Sequence, residues 1–212
     1  MLGRGGIISM KAILLNGSPR KDGSSAHLLE VMAKKLSERE CHTITRSALD
    51  LLSELETPFC THCSRVCEGQ CYRGTAVEEF YDLVPQVDCL VVASPVYFGT
   101  VSAEVKALWD LGRKIRSEKG LLYTVGAGIA TGGGRFGGQE TTIRAIHDMM
   151  FIQGMIVVGD SSPGGIGHQG VAASDPATGD QNAEKRLEIM AEAVADVSWA
   201  TRELRSFRTR EG

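Results

Sequence analysis

The chain has 212 residues, which is enough for one domain with a sizeable core and little more. Hydrophobic residues make up 42% and charged residues 23%, which is ordinary for a soluble globular protein. The net charge of −3 argues against DNA, RNA or anionic membranes as partners. We expect no membrane span, because no run of about 18 apolar residues occurs. The N-terminus lacks the apolar region of a signal peptide, so we expect a cytoplasmic protein.

The predicted elements alternate between strand and helix. Residues 1–10 are expected to be a flexible extension, followed by a single domain over residues 11–212. The apolar run from Ala12 to Leu15 predicts a buried strand, and Ser24 or Ser25 is expected to cap the next helix. The later strands are predicted over 43–46 at a sheet edge, 89–93, 121–130 and 155–158. The later helices are predicted over 75–84, from about 102 to Ile115, around Ile143, Ile146 and Met150, and over about 181–206. A loop is predicted over 159–180.

The strands are continuous apolar runs, which is typical of parallel strands covered on both faces. With right-handed crossovers, this pattern predicts a doubly wound α/β sandwich of three layers. Four arginines near the C-terminus are interpreted as a solvated helix face rather than a binding patch. They are Arg202, Arg205, Arg208 and Arg210.

Three loops with unusual composition leave the C-terminal ends of predicted strands, where open parallel sheets bind ligands. The first joins a strand to a helix N-terminus and contains hydroxyl groups, glycines and Arg20, which is typical of a phosphate cradle. The alternative is an ordinary strand–helix turn with a serine cap. The second loop carries Tyr97 and Phe98, which either pack against a flat ring or belong to the core. The third, beginning at Thr131, is rich in glycine and lets backbone lie close to a planar ligand.

These loops resemble a known family. Gly-Ser-Pro-Arg-Lys after the first strand, Ser-Pro-Val-Tyr-Phe-Gly after the third and Thr-Gly-Gly with Gly-Gly-Gln-Glu after the fourth are similar to the NADPH-dependent FMN reductase family, and especially to its iron–sulfur flavoprotein branch. The resemblance covers roughly residues 11–200. It implies a flavodoxin-like fold with a five-stranded parallel sheet in the order 2-1-3-4-5, FMN as cofactor, NAD(P)H as a candidate donor, and a homodimer or homotetramer.

The resemblance also implies the residues that bind FMN. The phosphate would be held by Ser18, Arg20, Ser24, Ser25 and Ala26, and the isoalloxazine would be bordered by Pro95, Val96, Tyr97, Phe98, Gly99, Thr131, Gly132, Gly133 and Gly134. No side chain is assigned as a catalytic acid or base, because the cofactor carries out the chemistry.

A cysteine-rich segment over 57–74 is predicted to be an inserted loop. Its four cysteines follow the spacing C-x2-C-x3-C-x3-C, and they are Cys60, Cys63, Cys67 and Cys71. Such a compact run suits a 4Fe-4S cluster, while structural zinc sites more often use two separated pairs. The third alternative is that the thiols bind no metal. In the iron–sulfur flavoproteins a similar motif has C-x2-C-x2-C followed by a fourth cysteine, so the third cysteine here is displaced by one residue.

Three functions follow from these patterns. The first is an FMN-dependent oxidoreductase that passes electrons from a reduced donor through FMN and a 4Fe-4S cluster to a small molecule or a partner protein. The second is an NAD(P)H-dependent FMN or quinone reductase without metal. The third is a non-catalytic electron carrier or thiol redox sensor.

Overall fold

The computed structural model describes residues 9–160 and 169–209. Strands and helices alternate through most of this part of the chain. The strands are β1 (Met10–Asn16), β2 (Cys41–Ser47), β3 (Cys89–Pro95), β4 (Val125–Gly132), β5 (Ile156–Val157) and β6 (Val171–Ser174). The α-helices are α1 (Ser24–Ser37), α2 (Ala48–Leu52), α3 (Ala76–Leu83), α4 (Ala103–Leu111), α5 (Arg113–Ser117), α6 (Gln139–Ile152) and α7 (Gln181–Thr201).

The sheet is parallel and has the strand order β2-β1-β3-β4-β5, which confirms the predicted flavodoxin-like topology. A sixth strand was not predicted. Strand β6 pairs with the C-terminal half of β4, whereas β5 pairs only with Val125 and Gly126. The two short strands therefore share one edge of β4. The prediction of a loop throughout 159–180 is wrong for β6, and residues 161–168 lie outside the described residues.

Helices cover both faces of the sheet, as a three-layer sandwich requires. Along β1, Ala12 and Leu14 pack with α1 and α7, while Ile13 and Leu15 pack with helices of the opposite layer. This alternation follows from the two-residue period of a strand. The strand also includes Met10, which the sequence assigned to the extension. No helix within the described ranges combines the length and apolar character of a membrane span.

The helix predicted from about 102 and the strand predicted over 121–130 differ from the structure at particular residues. The helix predicted from about 102 to Ile115 is divided at Gly112 into α4 and α5. A side chain on Gly112 would place its Cβ 3.1 Å from the carbonyl oxygen of Trp109. The strand predicted over 121–130 begins only at Val125, because a turn that includes Tyr123 at φ +63° precedes it.

The C-terminal arginines are not a solvated helix face. Helix α7 ends at Thr201 and continues as 3-10 helix to Thr209, which lays Arg205 and Arg208 against the N-terminal edge of the sheet. Arg205 pairs with the carboxylate of Asp88 and donates to the carbonyl oxygen of Val87 at 2.7 Å. Burial lowers the pKa of Arg208 to about 10. Arg210 lies outside the described residues.

Replacing Arg205 with alanine is expected to lower the free energy of unfolding by about 2–3 kcal/mol. The side chain of Asp88 is only 2% exposed, and its remaining partners are the backbone N–H of Lys11 and the more distant Arg202. Denaturant unfolding measures the change, with Arg144→Ala as the control because Arg144 is exposed on α6. Equal loss of stability in the two variants would show that the ion pair does not stabilise the fold.

Candidate functional site

The first loop follows β1 and opens onto the N-terminus of α1. The N-cap of α1 is Gly23, and no side chain caps the helix, so the predicted serine cap is wrong. Ser24 and Ser25 instead lie inside the first turn, and both are buried. The first backbone N–H groups of a helix have no acceptor within the helix. This end of α1 therefore offers free donors to an anion, and the helix carries no acidic residue in its first turn.

The three predicted loops meet at one edge of the sheet. The N–H of Gly17 donates to the carbonyl of Ala93 at 2.7 Å, which joins the first loop to β3. The N–H of Val96 donates to the carbonyl of Thr131 at 2.8 Å, which joins the second loop to the end of β4. The hydroxyls of Ser25 and Thr131 lie 3.0 Å apart and join the first loop to the third. The edge is therefore one connected surface.

Exposure divides the predicted binding residues into two sets. In the second and third loops the residues at the strand ends are buried and those farther along face solvent, whereas in the first loop the exposed Arg20 lies between buried serines. Ser18, Ser24, Ser25, Pro95, Thr131 and Gly132 are buried, Ala26 and Val96 are half-buried, and Arg20, Tyr97, Phe98, Gly99, Gly133 and Gly134 are exposed.

The second loop presents its aromatic side chains to solvent. Backbone hydrogen bonds of 3.0 and 3.2 Å between Tyr97 and Thr100 close a tight turn. Phe98 occupies this turn at φ +51°, a backbone conformation that is uncommon for an aromatic residue. Phe98 is fully exposed and Tyr97 is 43% exposed, so the alternative that both belong to the core is wrong. The turn thus offers a ring to any ligand or protein that covers this edge.

Gln139 fixes the shape of the third loop. Its side-chain NH₂ group donates to the carbonyls of Gly134 at 2.6 Å and Ala173 at 3.2 Å, and its Oε1 accepts from the N–H of Gly137 at 2.8 Å. The hydroxyl of Thr141 donates to the carbonyl of Gly99 at 2.8 Å and links this loop to the second. These hydrogen bonds fix the glycine-rich backbone beside the turn that carries Phe98.

The four clustered cysteines line one cavity of about 210 Å³. All four are free thiols, with Cys60 and Cys67 half-buried and Cys63 and Cys71 exposed. Burial, and then the neighbouring thiols, raise the pKa of Cys71. The structure therefore brings together all four residues that the spacing selected.

Backbone geometry and a distant arginine hold this segment in place. Arg113, at the start of α5, donates to the carbonyls of Ser64 at 3.1 Å and Arg65 at 3.2 Å, and it also lines the cavity. Gly69 has φ +72°, and a Cβ there would lie 2.5 Å from the hydroxyl of Tyr72. A glycine is thus required between the third and fourth cysteines.

The spacing of the four cysteines allows two metal groups, a single zinc ion or a cubane cluster. Four thiolates around one zinc ion lie within about 4 Å of one another, since each Zn–S bond is about 2.3 Å. Within residues 9–160 and 169–209, no three His, Cys, Asp or Glu side chains converge in this way. A cubane cluster is larger and suits thiols spread around a cavity. The buried hydroxyl of Tyr72, which has no hydrogen-bond partner among the described residues, leaves a donor beside the cysteine segment.

Helix α4 connects the loop edge with the cysteine cavity. Its N-cap residue, Ser102, donates to the carbonyl of Gly17 at 2.6 Å, and its last residue, Leu111, lines the cavity. From Ala103 to Leu111 the helix rises about 12 Å at 1.5 Å per residue. The two sites therefore lie at opposite ends of one short helix.

Comparison with known proteins identifies the family. The family model of the NADPH-dependent FMN reductases matches residues 10–168. The chain belongs to this family. An iron–sulfur flavoprotein of Methanocaldococcus jannaschii is 38% identical over 173 residues, which cover 81% of this chain and 86% of that protein. Another, from Methanosarcina thermophila, is 35% identical over 191 residues, covering 89% of this chain and 95% of that protein.

A solved structure extends the comparison to the fold. A WrbA-like flavodoxin from Agrobacterium tumefaciens has a TM-score of 0.65 at 13% identity, and the match covers 91% of this chain and 99% of that one. The protein is thus an FMN-dependent oxidoreductase of the NADPH-dependent FMN reductase family with a flavodoxin-like fold. The individual FMN contacts stay predictions.

The first loop already binds a carboxylate, which shows that it has donors for an oxyanion. Asp175, just after β6, accepts from Nη2 of Arg20 at 2.8 Å and from the hydroxyl of Ser24. The hydrogen bond from Ser24, and then Arg20, lower the pKa of Asp175. A cradle that binds one oxyanion side chain has the donors that a phosphate requires.

Sequence reasoning missed Asp175 and Arg113. Had the Val-Ala-Ala run of β6 been recognised as a strand, the residue at its C-terminal end would have been placed at the binding edge. No local signal identifies Arg113, because it reaches a segment 48 and 49 residues away in the chain.

Proposed function

We propose that this family member passes electrons from NAD(P)H through FMN and a 4Fe-4S cluster to a small-molecule or protein acceptor. The observation that carries the proposal is that four free thiols line one cavity, at the end of the helix whose other end adjoins the FMN edge. Two relatives named iron–sulfur flavoproteins that align over most of the chain support it.

The chain's own residues have distinct parts in this scheme. The N-terminus of α1 and Arg20 bind the phosphate, and the exposed rings of Tyr97 and Phe98 border the isoalloxazine. Bound FMN takes up two electrons together and releases them one at a time, which couples a two-electron donor to a one-electron cluster.

The cysteines would hold that cluster as thiolates, at the positions Cys60, Cys63, Cys67 and Cys71. The guanidinium of Arg113 beside them adds a positive charge near an anionic cluster, and such a charge favours the reduced state. The side chain of Arg113 anchors the backbone of the segment to α5.

The donor is tested by anaerobic titration of the FMN-loaded protein with NADPH and, separately, with NADH. We expect at least one of the two nucleotides to bleach the flavin absorbance, because family members are NADPH-dependent. Dithionite serves as the control for a reducible flavin. Bleaching by dithionite, but by neither nucleotide, would contradict NAD(P)H as the donor.

A further inference from the structure

The carboxylate of Asp175, which follows β6, lies against the first loop. One carboxylate oxygen, Oδ2, pairs with Arg20 at 2.8 Å, and Oδ1 accepts from the hydroxyl of Ser24. The backbone N–H of Asp175 donates to the carbonyl of Gly132 at 2.7 Å, which ties the residue to the third loop. Hydrogen bonds of its backbone and of its side chain thus hold Asp175 between two of the three loops.

These contacts use two of the donors that a phosphate would need, the hydroxyl of Ser24 and Nη2 of Arg20. A serine hydroxyl has one hydrogen to donate. The hydroxyl of Ser24 donates it to Asp175 and accepts from the N–H of Ala177 at 3.0 Å. The charge of Arg20 is balanced by the same carboxylate. A phosphate that binds these two donors must therefore displace Asp175 from its hydrogen bonds to them or lie directly beside its negative charge.

We propose that Asp175 is a specificity-determining residue of the FMN site, whose carboxylate competes with the FMN phosphate for Arg20 and Ser24. The inference rests on the proposed binding of FMN at the three loops. Riboflavin lacks the phosphate, so it meets no such competition. Asp175 thereby weakens FMN binding relative to riboflavin, and the binding energy of the phosphate is partly used to displace it.

The opposite role, in which Asp175 positions Arg20 for the phosphate, is the weaker of the two effects. The side chain of Arg20 is 60% exposed and that of Asp175 is 32% exposed. Exposed ion pairs contribute little to the position of a side chain, since water and salt screen them. The carboxylate of Asp175 bonds to the buried hydroxyl of Ser24, so a phosphate bound at that hydroxyl would lie within a few ångströms of it, where two like charges repel strongly.

The test compares FMN and riboflavin on flavin-free Asp175→Asn. Asparagine keeps the shape of the side chain and removes its charge. Quenching of flavin fluorescence measures both dissociation constants. We expect FMN affinity to rise about tenfold, with riboflavin affinity changed by less than about twofold. Asp175→Ser, which shortens the side chain, should give the same direction.

Asp22→Asn is the matched control, because Asp22 is an exposed carboxylate of the same loop with no hydrogen bond to Ser24. It removes the same charge and is expected to change FMN affinity by less than about threefold. Weaker FMN binding by Asp175→Asn, or an equal change for both flavins, would overturn the competition. Failure of the unmodified protein to bind either flavin would instead refute the proposed function, and the inference with it.

Discussion

Replacing Cys67 with serine is expected to reduce bound iron from about four atoms per chain to below about one. Cys67 is a half-buried member of the four thiols around the cavity, and a serine hydroxyl is a much weaker iron ligand than a thiolate. A cluster that requires four cysteines then loses one of its attachments. Iron and acid-labile sulfide are measured after anaerobic purification of each variant.

Two controls separate the cluster from general damage to the chain. Ser64→Ala changes the same segment and leaves its carbonyl free to accept from Arg113. Cys41→Ala removes a buried thiol that lies outside the cavity. Both should keep their iron, and Cys67→Ser should keep its FMN, because the flavin loops lie at the other end of α4. Iron retained in full by Cys67→Ser would refute Cys67 as a ligand.

Replacing Gly17 with alanine is expected to destabilise the protein by about 2–4 kcal/mol and to weaken FMN binding at least tenfold. A Cβ at this position would lie 2.1 Å from Cγ2 of Val105 and 2.9 Å from the carbonyl oxygen of Ala93. The first loop would have to move away from β3, and the 2.7 Å hydrogen bond from Gly17 to Ala93 would break. Denaturant unfolding and flavin fluorescence measure the two effects.

Gly133→Ala is the matched control for this substitution. Gly133 is also a glycine of a predicted flavin loop, but a Cβ there meets no atom within 4 Å. Its free energy of unfolding should change by less than about 0.5 kcal/mol. Equal stability of the two variants would show that the close crossing of Gly17 and β3 does not determine the geometry of the loop.

The sequence predicted the elements whose signal is local. Strands β1 and β3 are buried apolar runs, and the order of strands followed from the resemblance carried by three loops. The start of β4 was placed too early because Leu121 extends the apolar run, although pairing with Cys89 begins only at Val125. Strand β6 was missed because its four residues are stabilised by pairing with β4 rather than by a pattern of their own.

The candidate site likewise has features that a local sequence pattern predicts and features that depend on contacts far apart in the chain. The spacing of the cysteines was sufficient to group them, since residues so close in the chain must lie together. The contacts of Asp175 with Arg20, and of Arg113 with the cysteine segment, join residues that are far apart in the chain. Only the folded backbone brings such residues together, so no local pattern could have predicted them. The exposure of Phe98 likewise depends on its turn, which the sequence left open.

We propose that one chain holds both FMN and a 4Fe-4S cluster. The most direct test is the absorption spectrum of the protein purified without oxygen, with iron, sulfide and FMN measured on the same sample. We predict flavin bands on a broad brown absorbance and about four iron atoms for each FMN. Flavin bands alone, without iron, would contradict the claim and favour a metal-free FMN or quinone reductase.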